Sequence, residues 1–117
     1  MRAYLINTKE RSISEVDIEQ GNIDKMQELI GCDLFTVASN FNFAENSDLA
    51  DSLYVDAEGL LKADTPVFYF NPPPSGQYLA GNGLVLGVDF STGESVSARI
   101  SLAELEKLIS WTDLSVK

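Results

Sequence analysis

Four carboxylates between positions 48 and 58, Asp48, Asp51, Asp56 and Glu58, are the first place to look for chemistry in this chain. Oxygen ligands gathered that closely could hold calcium or magnesium, but the spacing fits no EF-hand loop. Two carboxylates are also the minimum equipment of a glycosidase, provided their separation suits acid and base roles. The sequence does not fix that separation. A solvated acidic face, open to a basic partner, is the reading these four residues support best.

The glycine run Gly81-Asn82-Gly83-Leu84-Val85-Leu86-Gly87 invites a phosphate-loop reading and fails it. A dinucleotide fingerprint needs a helix after the glycines, because the helix N-terminus holds the pyrophosphate. Here Leu84-Val85-Leu86 continues as a strand and no Gly-Lys-Ser/Thr follows, so the glycines serve a tight bend and close backbone packing. Cys32, the single cysteine, follows Gly31 at the expected end of a helix and reads as a small buried hydrophobe. It has no intramolecular disulfide partner, which fits a reducing compartment.

The chain contains no histidine. That removes Ser-His-Asp and Cys-His hydrolysis and most zinc sites together. No other constellation of catalytic residues replaces them. The expectation is a non-enzymatic protein that needs neither cofactor nor metal.

Eighteen acids face eight bases, a formal net charge of −10. Twelve of the acids and four of the bases lie in residues 1–58, a net of −8, against −2 for the remainder. Such a field repels phosphate backbones and attracts basic partners, so direct nucleic-acid binding is disfavoured. The N-terminal apolar run is too short for a signal peptide, and no stretch is long enough to span a bilayer, so the expectation is a cytoplasmic protein without membrane contact.

At 117 residues, 44% hydrophobic and 22% charged, the chain reads as one globular domain over 1–117. Tyr4 to Asn7 and Ile13 to Ile18 read as a hairpin, with Val16 and Ile18 alternating with Glu15, Asp17 and Glu19. Asn22 is placed to cap a short helix over Ile23–Ile30, closed by Gly31. Leu34 to Ala38 and Leu53 to Val55 read as strands. Between them residues 39–51 read as a long excursion whose Phe41 and Phe43 pack on the body or on a partner. Pro66 to Phe70 is strongly β-prone, and as a sheet edge it could pair with a second copy. Pro72-Pro73-Pro74 reads as a stiff loop, or as a ligand for an aromatic groove.

Strands follow over Gln77 to Phe90 and Val96 to Ile100, joined by a turn at Ser91-Thr92-Gly93-Glu94. Ser101-Leu102-Ala103-Glu104 is a capping box, flanked by a staple of Ile100 and Leu105. The spacing of Leu102, Leu105, Leu108 and Ile109 predicts a helix over Leu102–Trp111. Aromatic residues Tyr54, Phe68 and Tyr78 interleave with these strands. They read as core, or as the lining of a small-ligand pocket between sheet and helix.

The order of these pieces resembles a family of small proteins, common in phages and plasmids, catalogued only as a domain of unknown function. The resemblance is carried by Met26-Gln27-Glu28-Leu29-Ile30-Gly31-Cys32, by Leu53-Tyr54-Val55-Asp56-Ala57-Glu58-Gly59-Leu60-Leu61, and by Leu79-Ala80-Gly81-Asn82-Gly83-Leu84-Val85-Leu86-Gly87 before a leucine-rich helix. The Thr65–Phe70 segment and the length of the Phe41–Asp51 excursion depart from that pattern. The resemblance implies a setting and no chemistry. The expectation is therefore an α+β domain, a mostly antiparallel sheet with two helices packed on one face. Its role would be that of an accessory protein binding a protein partner, in one version as an acidic inhibitor of a nucleic-acid-binding host protein. The alternative is a small-ligand-binding module.

Overall fold

The computed structural model describes residues 1–73 and 75–117, so Pro74, the last residue of the expected proline loop, lies outside the described residues. In chain order the elements are β1 (Arg2–Asn7), β2 (Ser12–Asp17), α1 (Ile23–Ile30), β3 (Phe35–Phe41), β4 (Leu49–Asp56), β5 (Pro66–Phe70), β6 (Gln77–Ala80), β7 (Gly83–Asp89), β8 (Glu94–Val96), α2 (Leu102–Leu108) and β9 (Ile109–Ser115). A single 3-10 turn, Gly59–Leu61, interrupts the run from β4 to β5. Every strand pairing is antiparallel. The larger sheet runs β2-β1-β7-β4-β3, with β8 beside β7, and the smaller runs β6-β5-β9.

Period-two alternation makes the larger sheet apolar on both sides. Tyr4, Ile6, Leu53, Val55 and Val85 face one way and share a core with Phe68 and Phe70 of the small sheet and Leu105 of α2. Ala3, Leu84 and Leu86 face the other way and meet Ile18, Met26 and Ile30. The α+β class and the antiparallel pairing agree with expectation. The helices, however, occupy opposite faces of the large sheet rather than one. A sheet whose central strand β7 is buried from Gly83 through Gly87 needs a cover on each side, and a second sheet supplies part of one.

The local signals at α1 are all used. The Asn22 side chain accepts from the Lys25 amide at 3.1 Å, and Gly31 adopts the left-handed conformation, φ +78°. At α2 the Ser101 hydroxyl accepts from the Glu104 amide at 3.2 Å. The Glu104 carboxylate accepts a hydrogen bond from the Ser101 hydroxyl at 3.0 Å, not from the backbone N–H that a full capping box would use.

Further expectations change. The strand expected over Val96 to Ile100 is the short β8, Glu94–Val96, after which the chain leaves the ladder. The helix expected over Leu102–Trp111 ends at Leu108, and Ile109–Ser115 turns directly into β9. Ile109, Ser110 and Trp111 stand opposite Phe70, Tyr69 and Phe68, so pairing with β5 satisfies this β-branched and aromatic run better than another helical turn. As a consequence Pro66–Phe70 is not a free edge for a second copy. It is the central strand of the small sheet. The excursion at 39–51 is also shorter than expected, because β3 runs on to Phe41 and β4 begins at Leu49.

The passage from the large sheet into the second layer hangs on two residues. Asp51 and Gly87 stand opposite each other on β4 and β7, so both look toward the same face. After β8 the chain crosses that face at Gly87, where any Cβ would collide with the Ser97 carbonyl. Fully buried Asp51 meets it there: its carboxylate accepts from the Arg99 amide at 2.7 Å, the Ile100 amide at 3.0 Å and the Asn42 side chain at 2.7 Å. These are charge-assisted bonds to amides that have no ladder of their own. Asp51→Ala should lower unfolding free energy by about 3 kcal/mol, and Asp51→Asn by about half that, since one acceptor oxygen remains. Urea midpoints at unchanged m-value are the measurement.

Candidate functional site

The four acids do not form one face. Asp48 and Glu58 are exposed, but the eight residues of β4 stand between them, a span on the order of 25 Å at strand rise. Asp51 is spent inside the fold as described. Asp56, its side chain 8% exposed, accepts from the Glu58 amide at 2.9 Å and pairs with Lys62 at 2.5 Å. The Asp56 hydrogen bond holds the Lys62 ammonium above its ordinary value. A strand with alternating sides, and a turn that caps itself, have dispersed what the sequence placed together. Among the described residues no group of three or more acids or cysteines gathers as a metal site.

Tyr54, Phe68 and Tyr78 are likewise separated. Tyr54 lies on the α1 side of the large sheet, edge-on to Phe35 at 5.7 Å. Phe68 is fully buried in the core between the sheets. Tyr78 is 57% exposed and leans on Tyr69. They cannot line one pocket, because the large sheet itself lies between Tyr54 and Phe68. In the glycine run, Gly81 takes the turn at φ +84° and β7 starts at Gly83, with no helix behind it.

Two of the surface concavities have a largely apolar lining instead. The first is a cleft of about 530 Å³ where edge strands β3 and β6 approach each other over the 3-10 turn. Val37, Leu60, Leu61 and Tyr78 line it, and all four leave large apolar side chains in solvent, with Leu61 the most exposed at 81%. Gln77 Nε2 crosses the cleft and donates to the Ala38 carbonyl at 3.0 Å. The second is a groove of about 520 Å³ beside α2, bedded on Phe41, Phe43, Pro72, Ile100 and Leu108, with Lys107 at its margin. Phe43 is held over it by stacking on Phe90 at 6.3 Å.

Sequence reasoning missed the cleft. Its one legible signal was the pair Leu60-Leu61 beside a turn: two adjacent leucines cannot both point into a core from so short an element. Cys32 sits nearby and is partly buried. Loss of solvent, then the Asp56 carboxylate, push its thiol up, while the Lys62 ammonium pulls it down.

The chain belongs to the family described as a domain of unknown function, DUF3846, whose model matches residues 1–109. No curated protein and no solved structure matches the chain. Family membership agrees with the resemblance drawn from the residues and brings no activity with it. Among the described residues no helix is long and apolar enough to cross a membrane.

The thiolate is the reactive form of a cysteine, so a raised thiol reacts slowly at neutral pH. The rate of Cys32 alkylation by iodoacetamide against pH should show a midpoint above that of free cysteine. Lys62→Met removes the opposing charge and should move the midpoint higher still.

Proposed function

We propose that this protein works by contact rather than by chemistry: a non-enzymatic, cytoplasmic accessory protein, of the kind carried by phages and plasmids, that binds a protein partner. The observation that carries this reading is the cleft between β3 and β6. Large apolar side chains scattered singly over a surface need no explanation, whereas Val37, Leu60, Leu61 and Tyr78 converge on one concave place. A short element such as the turn Gly59–Leu61 gains nothing by holding two leucines 70% and 81% exposed. Covering them would remove apolar surface from water at about 25 cal/mol per Å².

The net charge of −10 adds a long-range field that favours a basic partner. An inhibitor acting through Asp48, Asp51, Asp56 and Glu58 as one acidic face loses its support, because those residues are dispersed. What remains of that version is the overall field, which suits a protein whose own ligand is a nucleic acid.

A small-ligand reading keeps one specific observation. The groove beside α2 does lie between sheet and helix, apolar in its bed with Lys107 at its margin, though its lining is not the one expected. A metabolite bound there would raise the melting temperature of the intact protein and shift Phe43 and Leu108 resonances.

The two readings separate by position. A photo-crosslinking amino acid placed at Leu61 or Tyr78 should join one dominant protein of the native host, and the same group at exposed Leu114 should join none. Equal labelling at all three positions, or none at any, overturns partner binding through the cleft.

A further inference from the structure

We infer that the partner enters the cleft as an extended, basic segment and pairs with β3 as an added strand; this deepens the partner-binding reading and rests on it. The argument starts from the edges. A strand at a sheet margin presents unpaired N–H and C=O groups, and natural proteins blunt such margins with charge, proline or short length. Among the described residues the four other edges are blunted. β2 carries Glu15 and Asp17, β9 carries Asp113, β8 is three residues long with Glu94, and β6 is four residues long.

β3 is the exception. Phe35-Thr36-Val37-Ala38-Ser39-Asn40-Phe41 is seven residues with no charge and no proline, paired only with β4. A bulge between Val37 and Ser39 is its one irregularity. Gln77 Nε2 already sits on the Ala38 carbonyl, a side-chain amide standing where a strand's backbone amide would donate. That bond can be exchanged for a like one when a strand arrives.

The cleft supplies the rest of what strand addition requires. Backbone pairing gives affinity without selectivity, and alternate side chains of the added strand then need an apolar floor. Leu60, Leu61 and Tyr78 provide it. Charge selects the occupant. Asp33 precedes β3 and Glu58 precedes the 3-10 turn; both are exposed, and among the described residues neither is in an ion pair. Lys62, the nearby cation, is held by Asp56. A second copy of this chain would bring another −10 to the same place, so a segment alternating apolar and basic residues is the better match.

The test pans a random dodecapeptide library displayed on phage against the full-length protein. Enriched peptides should alternate apolar with Lys or Arg, and their binding should slow hydrogen exchange in residues 35–41. N-methylation of alternate backbone amides should abolish binding in one phase of the alternation and spare it in the other. Val37→Lys, which places on β3 the charge that other edges carry, should weaken binding at least tenfold, while Leu114→Lys should leave it unchanged. Absence of enriched peptides, protection of the α2 groove in place of β3, or indifference to N-methylation overturns strand addition. Sedimentation showing a dimer abolished by Val37→Lys overturns it too, in favour of a second copy. Host-protein crosslinking at Leu61 that persists with peptides indifferent to N-methylation would sink strand pairing alone and leave partner binding standing.

Discussion

The Asp51 carboxylate is the contact on which the two-layer arrangement depends. A sheet covered by a second sheet needs the chain to leave one layer and enter the other, and it must do so across a face already crowded with side chains. Gly87 opens the gap, and Asp51, directly opposite it on β4, catches the crossing backbone at Arg99 and Ile100. On the far side of the crossing, the Ala98 amide donates to the Arg2 carbonyl at 2.8 Å, and the Arg2 guanidinium returns a bond to the Ala98 carbonyl at 2.8 Å. A buried carboxylate is costly unless its acceptors are filled. Here they are, and among the described residues no buried side-chain polar atom lacks a partner. The position of α2, of β9 behind it, and so of the whole small sheet follows from this junction.

What the sequence made legible is what local interactions decide. The Asn22 cap, the left-handed Gly31 and the Ser101–Glu104 pair act within four residues of themselves, and each could be read before any fold was known. So could the first hairpin and the strand that continues from the glycine run. The errors have a common cause. Whether Ile109-Ser110-Trp111 extends a helix or starts a strand depends on β5, some forty residues earlier. Whether Pro66–Phe70 is an edge or a centre depends on that same decision. A non-local partner settled both, and one misjudged end of a helix displaced an entire edge strand.

The acids make the same point for the functional site. Proximity in sequence is proximity in space within a helix turn, but along a strand ten residues carry the chain across the molecule. Asp51 is inside because the face on which Leu53 and Val55 lie buries every second residue of β4, and position 51 falls on that face. Asp48 and Glu58 are outside because they belong to the loops at its two ends. Composition fixes the net charge of −10. It could not say which charges are structural.

The cleft follows from the same topology. Once β9 takes the far margin of the small sheet, β6 is left at the near one, facing β3 across a gap that Gln77 spans. Neither strand can turn away: β6 is tied to β5 through Val67 to Phe70, and β3 to β4 along nearly its full length. The turn Gly59–Leu61 is fixed beneath them, since a Cβ on Gly59 would press on the Ala80 carbonyl at 3.0 Å. Its two leucines therefore stay in the gap rather than folding into either core, both of which are already closed by Phe68, Phe70 and Leu79 on one side and α1 on the other. An uncharged strand edge and a pair of stranded leucines are thus held to one opening by constraints on every element around it. That is why the proposed binding role rests on this surface and not on the dispersed acids.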